Sequence, residues 1–175
     1  MKYFRKIQGE RLYLSPMHTD DVEIFTKWLN DPDVAPYLAH YSRMISLAIE
    51  KKKLEEMVTE GQNFAIVTND DVLIGTISLM HINHINQTAT VGLFIGEKGE
   101  RGKGYGTEAM RLIVGFGFNT LNLQNIMLQV QADNEQAIAS YKKCGFTEFG
   151  RRRKAQFKEG RFVDLIHMET LREEN

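Results

Sequence analysis

Residues 99–106 read Gly-Glu-Arg-Gly-Lys-Gly-Tyr-Gly, and the segments on either side leave this chain few ways to fold. Ala89–Ile95 ahead of the run has the apolar, β-branched and aromatic content of a strand. Behind it, Ala109, Leu112, Ile113 and Phe116 recur at helical spacing, and Asn125–Val130 reads as another strand. Strand, glycine loop, helix and strand make a crossover unit, the connection that parallel strands require. The alternate glycines leave one side of the backbone bare where the helix starts. Free N–H groups and the positive end of the helix dipole at such a point attract phosphate oxygens. A Cβ at Gly104 or Gly106 would obstruct that approach, and Arg101 and Lys103 would add positive charge. Thr107 follows in the first helical turn.

The rest of the chain surrounds this unit. Arg11–Leu14 reads as a short strand closed by Pro16. Thr19 caps a helix with Asp20, Asp21 and Glu23 in its first turn and Val22, Phe25 and Leu29 on one face, Trp28 beside them. Asn30-Asp31-Pro32 ends it. A second helix is expected over Ser46–Glu60, with Leu47, Leu54 and Met57 or Val58 inward, and Gly61 stops it. Phe64–Val67 and Val72–Leu79 flank the turn Asn69-Asp70-Asp71 as an antiparallel hairpin. After Asn125–Val130 come a short helix over Asn134–Cys144 and two strands, 147–157 and 161–168, joined at Glu159-Gly160. The order β-α-α-β-β-β-α-β-α-β-β implies a mixed α/β sheet, an antiparallel meander followed by a βαβ crossover, with helices on both faces. No repeat or linker divides the 175 residues, so one domain over 1–175 is expected.

Phosphate loops of several kinds can be told apart here. A P-loop needs glycine at 97 and Ser or Thr at 104, where this chain has Glu97 and Gly104. Gly104-Tyr105-Gly106-Thr107-Glu108-Ala109 fits the dinucleotide pattern G-x-G-x-x-A, with Asp133 downstream. That fingerprint belongs on a tight turn directly after the first parallel strand, and here the strand ends several residues too early. Arg101-Gly102-Lys103-Gly104-Tyr105-Gly106 resembles instead the pyrophosphate motif of the GNAT N-acetyltransferases, (Gln/Arg)-x-x-Gly-x-(Gly/Ala). Asn134-Glu135-Gln136-Ala137 with Tyr141-Lys142-Lys143-Cys144-Gly145-Phe146 is similar to that superfamily's second motif. Trp28–Val34 resembles the subgroup of ribosomal-protein N-terminal acetyltransferases, and Phe118–Leu123 with Ile82-Asn83-His84 resembles spermidine acetyltransferases. These segments span most of residues 10–170.

The resemblance implies an acetyl-CoA-dependent transfer of an acetyl group to an amine. It implies that the strand ending at Ile95 and the strand from Asn125 splay apart, with the pantetheine arm in the gap against the backbone of Phe94, Ile95 and Gly96. An N–H there is the candidate oxyanion donor. It also implies that Asn134 touches the cofactor arm and that Tyr141 stands near its sulfur. The two are seven residues apart and so share a helix face. Tyr141 is the candidate general acid for the leaving thiolate, with a core aromatic as the plain alternative; Asn134 serves as cap, ligand or both. The acceptor stays open: a protein N-terminus, a small-molecule amine, or a polyamine. The family's spermidine enzymes carry an acidic stretch after the first helix, whereas Val34–Arg43 here holds no Asp or Glu. A non-catalytic acyl-CoA-binding module is the other reading of the same fold, and a homodimer is plausible by resemblance.

Composition excludes more than it suggests. A net charge of −1, with both signs mixed along the chain, gives no case for nucleic-acid or membrane-surface binding. The cluster Arg151-Arg152-Arg153-Lys154 reads as a solvated strand, or else as a substrate or RNA contact. The lone Cys144 allows neither an intramolecular disulfide nor a multi-cysteine metal site, and its position favours a buried apolar role over nucleophilic catalysis. No metal is expected. The N-terminus lacks a signal-like apolar run, so a cytoplasmic location is the expectation. His81, His84 and Glu97 are candidates for a general base, alongside a water relay.

Overall fold

The computed structural model describes residues 2–38 and 42–173. In chain order its elements are β1 (Ile7–Gln8), β2 (Leu12–Pro16), α1 (Val22–Leu29), α2 (Leu47–Thr59), β3 (Gln62–Thr68), β4 (Leu73–Asn83), β5 (Thr88–Ile95), α3 (Tyr105–Asn119), β6 (Asn125–Gln131), α4 (Glu135–Lys142), β7 (Thr147–Lys158) and β8 (Arg161–Leu171). The strands form one sheet in the order β1-β2-β3-β4-β5-β6-β8-β7. Every neighbour pair is antiparallel except β5 with β6.

Strand alternation explains how the sheet buries both faces. In β2 and β3, Leu12, Leu14, Phe64 and Ile66 point to one core with Ala109, Met110 and Ile113 of α3 and Tyr141 of α4. Tyr13, Ala65 and Val67 point the other way, to Phe25 and Trp28 of α1 and Leu54 of α2. The expected α/β sheet with helices on both faces is what the chain forms.

Four details depart from the sequence expectations. Thr19, expected to cap the first helix, lies in a 3-10 turn over Thr19–Asp21 capped by the His18 side chain, and Asp21 is the N-cap residue of α1. Strand β1 pairs Ile7 with Leu14 and Gln8 with Tyr13, too short a run to carry a pattern. Strand β4 continues to Asn83 through a register break after Met80, where His81 takes φ 51°. Its polar tail has no apolar alternation to announce it. Leu47, expected inward, is 52% exposed, and of Met57 and Val58 it is Met57 that packs inward. Helical spacing fixes the face a residue lies on, but not whether another element reaches that turn.

The opening in the sheet is the feature that positions the site. Strands β5 and β6 pair only at Thr88–Asn125, Ala89–Ile126 and Thr90–Met127. Beyond these pairs β5 stays with β4 as far as Gly75–Ile95, and β6 stays with β8 as far as Gln131–Leu165. The two strands diverge, leaving a V-shaped gap between their C-terminal ends.

Candidate active site

The glycine run lies at the end of β5 and turns into α3. Gly102 (φ 76°) and Gly104 (φ 86°) occupy the left-handed region, and Gly104 is the helix N-cap with no side chain to fill the cap. Among the described residues, no main-chain carbonyl accepts from the N–H groups of Gly102, Lys103 or Gly104. With the first-turn N–H groups of Tyr105, Gly106 and Thr107, they form an array of free donors at the positive end of a long helix. A Cβ at Gly106 would meet Leu93 Cδ2 at 3.5 Å and Ile95 Cγ1 at 3.8 Å, ordinary contacts on the β5 side.

The charged residues of the loop are placed differently from one another. Lys103 pairs with Glu100 at 3.1 Å. Arg101 donates through Nε to Ile95 O (3.0 Å), through Nη2 to Gly96 O (2.8 Å) and through Nη1 to Asp33 O (3.2 Å). Its guanidinium therefore ties the end of β5 to the loop after α1. A positive charge that the sequence did not flag stands nearby. Arg11 donates to Lys103 O at 2.9 Å, pairs with Glu108 at 2.8 Å, and lies 4.9 Å from the Tyr105 ring centroid. Arg11 reads only as a strand start, because its link to the loop spans some ninety residues.

The Phe94–Gly96 wall is shaped by Trp28. A Cβ at Gly96 would fall 2.0 Å from the indole, so only glycine fits beneath the ring, and Trp28 also meets Phe94 edge-on at 6.2 Å. Gly96 N–H donates to Ile74 O (2.9 Å) and Glu97 N–H to the same oxygen (3.1 Å). An antiparallel ladder alternates its direction, so Ile95 turns its own main chain away from β4 and toward the gap. Of the three candidate oxyanion donors, Ile95 N–H is the one that faces it.

On the opposite wall, Asn134 caps α4 with its side-chain oxygen accepting from Ala137 N at 3.2 Å. The Thr107 hydroxyl bonds the Ser140 hydroxyl at 2.7 Å and so joins the first turn of α3 to α4. Tyr141, 9% exposed, packs 6.1 Å from Phe146. Burial, and secondarily Cys144, pushes its phenol up to about 12. Trp28 Nε1 and Asp133 Oδ1 are among the sealed polar atoms without a partner, but the Tyr141 hydroxyl is not one of these. Cys144 is half-buried, its thiol pushed up by burial and directed at Thr107 O.

The three candidate bases separate by position. Asn83 pairs with Thr88 and Met80 with Thr90, so His81 and His84 lie at the closed end of the β5–β6 pair. Glu97, directly after β5, is at the open end.

A cavity of about 400 Å³ adjoins that open end, lined by Pro32, Asp33, Pro36, Tyr37, Asp133, Lys158, Glu159 and Arg161. The loop after α1 crosses the gap above it. Lys98 and Arg101 hold Asp33 on the β5 side, while Gln131 donates to Pro36 O (2.7 Å) and Gln156 to Leu38 O (3.5 Å) on the other. Ala39, His40 and Tyr41, part of the acid-free stretch, lie outside the described residues. Sequence reasoning missed Gln131, Lys158 and Arg161 altogether, since no local pattern marks them. Among the described residues, no group of three or more His, Cys, Asp and Glu could hold a metal ion, and no helix is long and apolar enough to cross a membrane.

Comparison with known proteins agrees with this geometry. Residues 11–147 match the model of the acetyltransferase (GNAT) domain. Probable N-acetyltransferase YjcK of Bacillus subtilis is 41% identical over 160 residues, 85% of this chain and 87% of the relative. Spermidine N(1)-acetyltransferase of Escherichia coli K12 is 28% identical over 158 residues, 89% of this chain and 83% of the relative. The fold superposes on spermidine N-acetyltransferase from Vibrio cholerae, crystallised with CoA and spermine, with TM-score 0.83 and 24% identity over 92% of this chain and 95% of that one. With the family match lying across the glycine loop, the diverging strands and α4, this chain belongs to the GNAT family and is an acetyl-CoA-dependent N-acetyltransferase.

Proposed function

We propose that the enzyme acetylates an amine of low positive charge, a peptide α-amine or a small monoamine, bound in the cavity beneath the loop after α1. The observation that carries this reading is the pairing of the cavity's carboxylates. Asp33 is taken by Lys98, and Asp133 by Lys158 (3.3 Å) and Arg161 (2.8 Å). Among the described residues, Glu159, at the exposed turn, is the only lining carboxylate without an ion pair. A polycation would have to compete with three resident cations for its counter-charges. The relatives named for spermidine favour the other reading, a polyamine acceptor.

In this scheme the acetyl-CoA diphosphate sits on the loop of residues 101–107, against the free N–H groups of 102–107, and the pantetheine arm passes through the gap beside Phe94, Ile95 and Gly96. Asn134 touches the arm while its oxygen caps α4. The neutral amine attacks the thioester carbon, and the resulting oxyanion accepts from Ile95 N–H. Collapse breaks the C–S bond, and Tyr141 gives its proton to the departing thiolate. A phenol near 12 is a weak acid for this task, so transfer is coupled to bond breaking in a site where the thiolate is also poorly solvated. The proton lost from the nitrogen leaves through Glu97 or water. In this reading residues 1–175 form one domain and assemble into an oligomer, a homodimer being the simplest form. The test is a panel of peptides, monoamines and spermidine at equal concentration. Peptides or monoamines should show the higher kcat/KM; faster turnover of spermidine than of every other acceptor would overturn the assignment.

A further inference from the structure

Lys158 ends β7 and is 3% exposed. A lysine this deep loses its hydration and stays charged only if its surroundings replace it. They do so with three groups: Gln131 Oε1 at 2.9 Å, Asp133 Oδ2 at 3.3 Å, and the Tyr37 ring with its centroid 4.2 Å from Nζ. An amide oxygen, a carboxylate and an aromatic face around one primary ammonium are what binds an alkylammonium of any origin.

These receptors are held in place by other residues as well. Gln131 is fixed by its amide donating to Pro36 O (2.7 Å) and Gln156 Oε1 (3.1 Å). Asp133 is fixed by Arg161, and its Oδ1 is sealed without a hydrogen-bond partner. The site would therefore keep its shape if the lysine were shortened. Tyr37, Asp133 and Lys158 also line the cavity assigned above to the acceptor.

We propose that this cavity contains an alkylammonium subsite which the chain fills with its own Lys158, and that this internal cation excludes the second ammonium of a diamine or polyamine. The inference rests on the cavity being the acceptor pocket. It makes Lys158 a specificity-determining residue, and spermidine-type acceptors would become acceptable on its removal.

Lys158→Ala shortens the chain and vacates the subsite; Lys158→Met keeps a stem of similar length without the ammonium. Thermal unfolding is followed with added n-propylammonium chloride, and with n-propanol or sodium chloride at the same concentration. Lys158→Ala should lose about 5 °C or more in Tm. Propylammonium should restore at least half of that loss, saturably, and raise the Tm of wild type and Lys158→Met far less, since there it can occupy only the acceptor position. In acetyl transfer, kcat/KM for 1,3-diaminopropane relative to propylamine should rise about tenfold or more in Lys158→Ala only. If Lys158→Ala does not fold alone, refolding with propylammonium is the same test, and recovery only there supports the subsite. The proposal is overturned if propylammonium acts no better than sodium chloride, if it stabilises wild type equally, if no condition recovers the protein, or if diamine selectivity is unchanged. The stability arm needs neither acetyl-CoA nor turnover, so a wild type that prefers spermidine would sink the acceptor reading while leaving the rescue result standing.

Discussion

The two ends of the cleft are built from different materials. The end proposed for the cofactor is main chain: free N–H groups at residues 102–107, the β5 edge at Ile95, and Gly102 and Gly104 in the left-handed region. The end proposed for the acceptor is side chain: Tyr37, Gln131, Asp133, Lys158 and Arg161, drawn from a loop, a strand end and a hairpin. A thioester cofactor presents the same diphosphate and amides in every enzyme that uses it, and backbone donors suit a fixed ligand. Acceptors differ, and side chains can be exchanged without moving the fold.

Predictions that break or sharpen this contrast run from catalysis down to stability. The largest effect is expected at Tyr141, where Tyr141→Phe should lower kcat by roughly 10²–10⁴-fold with acetyl-CoA affinity little changed. Near wild-type turnover would reassign Tyr141 to packing and give the proton to water. Next is Gly106→Val. A Cβ there meets Leu93 and Ile95 at ordinary distances, so the fold should hold while acetyl-CoA binding weakens by roughly 100-fold, about 3 kcal/mol. Calorimetry on the folded variant decides this, and unchanged affinity would mean the diphosphate lies elsewhere.

Gly96→Ala tests the wall between the two ends. The new methyl cannot coexist with Trp28 in its present position, and overpacking of that kind costs about 1–3 kcal/mol. A drop in urea midpoint is expected, accompanied by a loss of turnover because Ile95 N–H is displaced. A stable and fully active variant would show that the Trp28 contact does not set this wall.

The smallest effect is an alkaline one. Burial first, then Asp71 for Tyr13 and Cys144 for Tyr141, pushes both phenols from 10 up to about 12. Tyr3 is also raised, by burial and then by its hydrogen bond to Asp21. The unfolded chain therefore gives up these protons at lower pH than the native one. Their contribution is complete below pH 10 and is lost as pH rises through 12. Denaturant titrations should show stability falling across that window, with a shallower slope in Tyr141→Phe; an equal slope in both would remove Tyr141 from the linkage.

Legibility in the sequence follows the same division. Gly102, Gly104 and Gly106 sit within five residues and act through the backbone beside them, so spacing alone points to the array of free N–H groups proposed for the diphosphate. Asn134 and Tyr141 were readable because one helix carries both. Arg101 was readable as a charge near the loop, but its partners Ile95, Gly96 and Asp33 show it serving as a cross-tie. His81 and His84 looked close to the site along the chain, yet antiparallel pairing of β4 carries them to the far end of the gap.

The sequence by itself determined the order of elements from β2 onward, the two-sided burial of the central strands and the glycine loop at the start of α3. Each of these follows from periodicity, or from glycines acting on their immediate neighbours. Only the tertiary structure decided where β5 and β6 part, that Arg11 supports the glycine loop, and that Lys158 is buried among Tyr37, Gln131 and Asp133. Those contacts join residues up to about 120 positions apart, and a side chain's partner across such a distance is set by how strands register and loops close. No local propensity encodes that pairing.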